Sequence, residues 1–268
     1  MAHMRGRVSV GLAVASALLA LSPATALAEQ WIVTVGGAVG ADPPYEGAGH
    51  LDIEPSATFN VRRADKPYRF TPPDDGSNFA LLSNRYIEFG PMFRVREERG
   101  DTGHLEGFNK VDVAVEPGVF VNLWPTNWLR ARVEARYGLF AYDGPVGDAG
   151  IDVIHTGRKW DLSIGPRYGY GGSHYMDTYF GVTPQEAAAS PLIKTPYDPG
   201  AGPRYAGLEV AASYHITNRL RTYYGFGYHR LTKLAEDSPV VKVAGSPNDY
   251  LASVGVSYSF GIGLGKRR

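Results

Sequence analysis

The chain has 268 residues, balances 27 basic against 27 acidic side chains, and contains no cysteine. The balanced charge provides no basic excess for binding nucleic acid, and the lack of cysteine excludes disulfides, thiol catalysis and cysteine-ligated zinc. High counts of glycine (33) and tyrosine (17) favour strands with close interior packing and aromatic rims over helices.

The first 28 residues predict a cleaved secretory signal. A basic start at Arg5 and Arg7 is followed by an apolar, alanine-rich stretch and by small residues at Ala26 and Ala28. The stretch is too short for a membrane-spanning helix, which needs about 20 strongly apolar residues. We expect cleavage before Glu29, which leaves 240 residues as one exported domain with 25 basic and 27 acidic side chains, a formal charge of −2.

Period-2 alternation dominates the chain after the signal and indicates strands. Between Leu129 and Leu139, for example, apolar residues alternate with arginines and Glu134. Pro72-Pro73-Asp74-Asp75-Gly76 is a strong turn signal between two short segments. The predicted strands are roughly 30–40, 50–62, 67–72, 78–82, 85–98, 108–123, 127–142, 149–157, 159–171, 203–215, 218–231 and 249–260.

The connections between these strands alternate in length. Tight turns fall near 63–66, 83–84, 125–127, 157–158 and 217–218, and longer segments near 41–49, 99–107, 143–148, 172–202 and 232–248. Outer-membrane barrels have short periplasmic turns and long extracellular loops. The sequence therefore predicts an all-β fold, a closed antiparallel transmembrane β-barrel of about 12 strands, with both ends of the domain on the periplasmic side.

A soluble lipocalin-like barrel is the alternative, since it also alternates and closes its edges. The two differ in which face meets water. A lipid-facing Arg or Lys at mid-depth costs about 2–4 kcal/mol, so an almost uncharged apolar face favours lipid outside and charges inside. The candidate lumen-lining residues are Glu88, Arg94, Arg96, Lys110, Asp112, Glu116, Arg130, Arg132, Glu134, Arg136, Asp161, Arg167, Glu209 and Arg221.

These charges allow two interpretations. Opposite charges on adjacent strands predict a salt-bridged filling without conduction, because a barrel of this size leaves limited room for long side chains. An arginine-lined, anion-leaning pore is the alternative.

Aromatic residues support the same arrangement. All four tryptophans fall at predicted periplasmic strand ends, where indole rings favour the headgroup level. We expect a periplasmic aromatic rim of Trp31, Trp124, Trp128 and Trp160.

Loop 172–202 contains one helix signal. Thr183 is a capping residue, Pro184 fits the first helical position, and Glu186 completes a capping box. We predict a single short helix, which either covers the barrel mouth or is a packed loop element.

Catalytic, cofactor and metal sites are not indicated. Glu88, Glu116, Glu134 and Asp161 each have nearby basic residues, so ion pairing explains them better than paired acid/base chemistry. The histidines are scattered without metal-ligand spacing. Ser173, His174 and Asp177 share one loop, but a nucleophile elbow is absent, so a barrel hydrolase is the weakest hypothesis.

Several segments together are similar to the MipA/OmpV family. They are WIVTVGGAVGADPPY at Trp31–Tyr45, YFGVTPQEAAASPL at Tyr179–Leu192, LTKLAEDSPVV at Leu231–Val241, and the aromatic close at Tyr258–Phe260 before a short tail, 261–268. The resemblance implies a barrel in the bacterial outer membrane. It also implies a scaffold that brings a lytic murein transglycosylase together with a bifunctional murein synthase. A narrow channel for small polar solutes or ions is the alternative function.

Overall fold

The computed structural model describes residues 31–66, 68–101 and 103–263, so the predicted signal and most of the short tail lie outside the described residues. Within those ranges the chain forms twelve strands. They are β1 (Trp31–Asp42), β2 (Asp52–Arg63), β3 (Ser77–Phe79), β4 (Leu82–Ser83), β5 (Ile87–Arg96), β6 (Ala114–Leu123), β7 (Leu129–Gly138), β8 (Gly144–Thr156), β9 (Trp160–Gly171), β10 (Gly202–His215), β11 (Leu220–Leu231) and β12 (Asn248–Ile262).

Eleven of these strands close into a barrel. From β5 to β12 each strand pairs antiparallel with the next, and β12 returns to β1 with Trp31 opposite Ile262. β1 pairs with β2, and the three-residue β3 joins β2 to β5 and completes the ring. β4 is an additional short strand that pairs only with β5 in the described part of the chain. The predicted closed barrel is therefore confirmed.

Two details of the prediction are wrong. β3 runs parallel to β2, so the barrel is mixed and not wholly antiparallel. The strand predicted at 67–72 is also absent from the described residues, because residues 68–76 pass through the barrel interior. We call residues 68–76 the plug. Pro72 and Pro73 cannot donate to a strand ladder, and Gly76 adopts a positive φ of 67°, which turns the chain from the plug into β3.

The two ends of the barrel differ as predicted. Short turns and both ends of the domain lie at one end, which we assign to the periplasm. Longer loops lie at the other, extracellular end. Three boundaries differ from expectation. β6 begins at Ala114 and not near 108, and β7 ends at Gly138 and not near 142. β8 begins at Gly144, so positions 144–148 of the predicted loop 143–148 are strand.

The extracellular loops contain four α-helices in the described ranges. The predicted helix is present, and its capping box is complete: the Glu186 amide donates to Thr183 Oγ1 at 3.2 Å and the Thr183 amide donates to Glu186 Oε2 at 2.9 Å. The expectation of a single helix in loop 172–202 is wrong, because Ser173–Phe180 forms a second helix there. None of the helices in these ranges has the length and apolar character to cross a membrane. The helices are α1 (Ser173–Phe180), α2 (Pro184–Ala189), α3 (Lys233–Glu236) and α4 (Pro239–Ala244).

The strands have apolar side chains on their outer faces and charged side chains on their inner faces, the reverse of a soluble barrel. On β7, Val133 is 56% exposed on the outer surface, whereas Arg132 is 5% exposed inside. The same alternation runs along β9, where Leu162 and Ile164 face outward and Asp161 and Arg167 face inward. An outer surface of this kind is stable against lipid, because water would leave a continuous apolar belt exposed.

Candidate functional site in the barrel lumen

The structure places twelve of the fourteen predicted lumen residues on inward faces. Lys110 and Asp112 are the exceptions, because the chain before β6 is an extracellular loop in which both side chains are exposed. Lys110 pairs there with Glu98 at 2.8 Å. The inward residues are Glu88, Arg94, Arg96, Glu116, Arg130, Arg132, Glu134, Arg136, Asp161, Arg167, Glu209 and Arg221.

Most of these residues form one ion-pair network on β5–β9, whose inward faces we call the charged wall. Arg130 lies at its centre, 1% exposed, and donates through Nε to Asp152 Oδ2 at 2.9 Å. Further along the same face, Arg136 donates to Glu116 at 3.0 Å. Arg132 donates to Glu134 at 2.7 Å. Each buried charge therefore has an opposite charge within hydrogen-bonding distance, as burial demands.

The tip of the plug is part of this network. Asp75 is 2% exposed and accepts hydrogen bonds from Arg130, one of them at 3.0 Å. Arg167 donates to Asp74 at 2.7 Å, and Arg132 donates to the Asp75 carbonyl at 3.1 Å. The plug is thus fixed to the charged wall by both of its carboxylates.

The lower part of the plug packs against the periplasmic end of the lumen. Tyr68 donates to Asp161 at 2.9 Å, and the Arg221 guanidinium stacks on the Tyr68 ring at 3.9 Å. Phe70 lies in a small buried cluster with Trp124 and two wall residues. The plug therefore contacts the wall along its length as it rises from the periplasmic turn.

The opposite side of the lumen has short side chains at mid-height, and its charged residues lie toward the two ends of the strands. We call the inward faces of β1, β2, β11 and β12 the small-residue wall. A Cβ built on Gly225 would lie 3.5 Å from Pro73 Cγ, so the plug tip reaches across the lumen and touches this wall. The small inward residues are Thr34, Gly36, Ala38, Gly40, Ser56, Thr58, Gly225, Gly227, Ser253, Gly255, Ser257 and Ser259.

The plug tip separates two chambers, which are larger than the space of about 170 Å³ left between the plug tip and the charged wall. The upper chamber, on the extracellular side, has a volume of about 410 Å³, and the lower chamber has about 320 Å³. Both are lined by Thr58, Pro73 and Tyr223, which mark the level where they meet. Both lie mainly along the small-residue wall, because the long side chains of the charged wall occupy most of its own side of the lumen.

The four helices and the loop before β6 pack into one apolar cluster, which we call the extracellular cap. Its centre is Tyr175, fully buried, with the Tyr142 ring edge-on at 5.0 Å. Ser238 of the α3–α4 segment donates to the Phe180 carbonyl at 2.6 Å and joins two loops. Below the cap, the buried Arg204 pairs with Asp148 and with a loop glutamate. The cap therefore closes the mouth above the charged wall.

Three of the four tryptophans lie on the predicted periplasmic rim, and the fourth, Trp124, does not. Trp128 and Trp160 are 54% and 44% exposed at the periplasmic end, and Trp31 is partly exposed there. Trp124 instead points into the lumen, 4% exposed, and donates to Glu88 at 3.2 Å. It has the same parity as the inward residue Asn122, two positions earlier, so strand alternation explains its direction.

The residues weighed for catalysis are held by other contacts. Glu116 and Glu134 are ion-paired on the charged wall, Glu88 pairs with Arg69, and Asp161 contacts the His215 ring. His174 contacts the backbone carbonyl of Asp143 through Nδ1.

Sequence reasoning missed several members of the network. Asp75 was interpreted as a turn residue, and Asp148, Asp152 and Arg204 were not selected. Asp148 and Asp152 share the parity of the inward residue Ile154 on β8. Asp152 lies within the predicted strand 149–157, and extending the alternation to the glycine-rich start of β8 would also have found Asp148. Asp75 carries no such signal, because the plug is not a strand.

The fold is similar to those of solved outer-membrane barrels, at low sequence identity. The chain is 11% identical to the NanC porin, covering 85% of this chain and 98% of that one, with a TM-score of 0.40. It is 10% identical to the KdgM porin, with coverages of 85% and 99% and a TM-score of 0.41. It is 12% identical to an outer membrane channel from Pseudomonas putida F1, with coverages of 90% and 100% and a TM-score of 0.41.

Comparison with curated proteins gives no match. The profile of the MltA-interacting protein MipA family matches residues 35–260, which include every strand of the barrel in whole or in part. This match agrees with the resemblance seen in the four sequence segments. The chain is an outer-membrane β-barrel that belongs to the MipA family.

Proposed function

We propose that this chain is a non-enzymatic, non-conducting scaffold that holds murein-synthesising and murein-hydrolysing enzymes at the periplasmic face of the outer membrane. The proposal takes the mature protein to begin at Glu29, after signal cleavage. The observation that carries it is the plug, whose tip spans the lumen from Arg130 to Gly225. A barrel filled in this way offers surfaces for binding and no wide path for solutes.

The family description, MltA-interacting protein, supports a partner of this kind. The periplasmic turns supply a second argument, because their exposed charged side chains are mostly basic. Asp65 is an acidic exception and pairs with Arg63 at 2.9 Å. A basic rim favours encounter with an acidic partner surface and sets its orientation. The exposed basic residues of this rim are Arg63, Arg85, Arg158, Lys159 and Arg219.

The test is co-purification from detergent of the mature chain with a lytic murein transglycosylase and with a bifunctional murein synthase. We expect both to be retained, and retention to fall in the triple variant Arg85→Glu/Arg158→Glu/Arg219→Glu. The matched control is Lys233→Glu, which reverses an exposed charge at the extracellular end. Retention should also decrease with salt, because exposed charges are screened over about 8 Å at physiological ionic strength. Failure of both enzymes to bind the wild-type chain would reject the scaffold.

A narrow channel for small polar solutes or ions is the second candidate. It is supported by the two chambers, which are separated only at the level of Thr58, Pro73 and Tyr223. Planar-bilayer recording distinguishes the candidates. The scaffold proposal expects no conductance steps from the wild-type chain, and steps only after Asp74→Asn/Asp75→Asn releases the plug from the charged wall. Stable wild-type steps would favour the channel.

A further inference from the structure

The ring of strands is incomplete on the extracellular side of β3. β3 pairs with β2 at Asn60 and Val61 and with β5 at Met92 and Phe93. Above it, among the described residues, positions 52–59 of β2 and 94–96 of β5 have no strand on their facing edges. Since β3 lies between β2 and β5, the resulting slot is one strand wide, about 10 Å from β2 to β5.

The upper chamber opens into this slot. Its lining includes the inward residues Ser56 and Arg94 and also the outward residues Pro55 and Val95, one pair on each side of the slot. Outside the slot, Ile53 is 77% exposed on the lipid-facing surface. Unpaired backbone N–H and C=O groups are costly in hydrocarbon. The slot therefore requires water from the chamber or a polar group to satisfy them.

The chamber is acidic. Nine carboxylates and four guanidinium groups line it. The four arginines already form ion pairs with carboxylates of the charged wall or with Glu46. Among the described residues, Glu54 of β2 has no basic partner. Glu209 is 92% buried, and its ionic contact in the same ranges is the His229 ring at 2.9 Å. Both carboxylates line the chamber, so it is complementary to a cation.

We propose that the slot is a lateral entrance through which the upper chamber takes the cationic head of a single-tailed amphiphile from the outer leaflet. The ammonium head lies against Glu54 and Glu209, and the tail stays in the bilayer beside Ile53 and Val95. The occupant is an amphiphile and not a free cation, because the slot faces lipid and is flanked outside by the exposed apolar side chains of Ile53 and Val95. This inference does not depend on the scaffold role.

The probe is dodecyltrimethylammonium, titrated into the mature chain in a neutral maltoside detergent and followed by calorimetry. We expect saturable binding of one molecule per chain. Binding should be about tenfold weaker in Glu54→Gln/Glu209→Gln, because the head loses its charge partners. The control Glu106→Gln removes an exposed carboxylate of the loop before β6 and should leave binding unchanged. Absence of saturable binding, or an equal loss in both variants, would overturn the proposal.

The route is tested by bridging the slot. The β3 pairings place Asn60 level with Met92, so Ala57 is level with Val95 three residues further along each strand. In Ala57→Cys/Val95→Cys, a rigid bismaleimide of about 10 Å should join the strands and abolish binding, while the unbridged variant still binds. Cysteine is otherwise absent from the chain, so the label is specific. Unchanged binding after bridging, or equal binding of tetramethylammonium, would show entry from water and reject the lateral route.

Discussion

The charged wall and the small-residue wall line the same lumen in opposite ways. On β5–β9, arginines and carboxylates reach inward and bond to one another, as Arg136 does with Glu116. On β1, β2, β11 and β12, short side chains such as Ala38 and Ser253 leave the space that becomes the two chambers. The comparison shows how one barrel combines a filled half and an open half.

The plug connects the two walls. Its carboxylates bond to the charged wall, and Pro73 touches the small-residue wall at Gly225. Arg130 pairs with Asp75 of the plug and Asp152 of the wall, and breaking such a buried pair is costly in a low dielectric. On the other side the proline ring packs against Gly225 at van der Waals distance. The plug is thus held by charge on one side and by shape on the other.

The largest effect should come from removing the centre of the charged wall. Arg130→Met removes one of the two arginine partners of each of the buried carboxylates Asp75 and Asp152, which keep only Arg132 and Arg167 respectively. This should lower the free energy of unfolding by about 3 kcal/mol, the lower end of the cost of breaking a buried ion pair. Urea unfolding in detergent micelles measures this loss. The control Arg158→Met removes an exposed periplasmic arginine and should change stability by less than about 0.5 kcal/mol. Equal effects of the two variants would mean that the charged wall is not the stabilising half.

Enlarging an inward side chain should cost more stability on the charged wall than on the small-residue wall. A Cβ at Gly118 on the charged wall would lie 2.3 Å from the Ala135 carbonyl oxygen, so Gly118→Ala should destabilise the barrel by about 1–3 kcal/mol. Ala38→Leu, a larger addition on the small-residue wall, points into the upper chamber and should cost less. The same unfolding assay ranks them. A costlier Ala38→Leu would contradict an open half.

A smaller, local effect is expected in the cap, outside both walls. Thr183→Ala removes the capping oxygen of α2 and should cost about 1 kcal/mol of local stability. Hydrogen exchange of the amides of 185–190 measures it, and exchange in β7 should not change. Faster exchange throughout the barrel would show that the cap and the charged wall unfold together.

The smallest effect concerns the pH dependence of the same helix. Burial raises the pKa of Glu186, but hydrogen bonds from Thr183 and Asn109 and the charge of Arg99 outweigh it, so the net pKa is lowered. A lowered pKa contributes stability that is present above the usual glutamate value of about 4.3 and is lost as the pH falls through the lower folded value. The protection factors of the α2 amides, which are exchange rates corrected for the intrinsic effect of pH, should therefore be constant from neutral to mildly acidic pH and fall in stronger acid. Glu186→Gln should remove this dependence.

Strand alternation predicted most of the barrel and half of the lumen network, because a wall residue's direction follows from its parity. Arg130, Glu134 and Asp161 were assigned inward on this basis, and the structure places them there. The same rule misplaced Lys110, because the strand begins only at Ala114. The N-terminus of helix α2 could be predicted from Thr183 and Glu186 alone, since a capping box is a local signal.

The plug could not be predicted in this way. Pro72 to Gly76 indicates a turn, but the path of the chain on either side depends on Arg130, Arg132 and Arg167, which lie far away in sequence. The slot has the same origin. Because the plug lies inside the lumen, it does not form a strand between β2 and β5 in the ring. Long-range ion pairs thus decide both features, and they have no local sequence period.

A disulfide between Pro73→Cys and Gly225→Cys tests the central claim, the placement of the plug tip, most directly. A Cβ at position 225 lies 3.7 Å from the Cβ of Pro73, close to the separation of about 3.8 Å found in disulfides. The account predicts that the folded double variant oxidises readily and loses its reaction with maleimide, whereas Pro73→Cys with the outward-facing Phe226→Cys stays reduced. Free, maleimide-reactive thiols in the folded Pro73→Cys/Gly225→Cys variant would contradict the account.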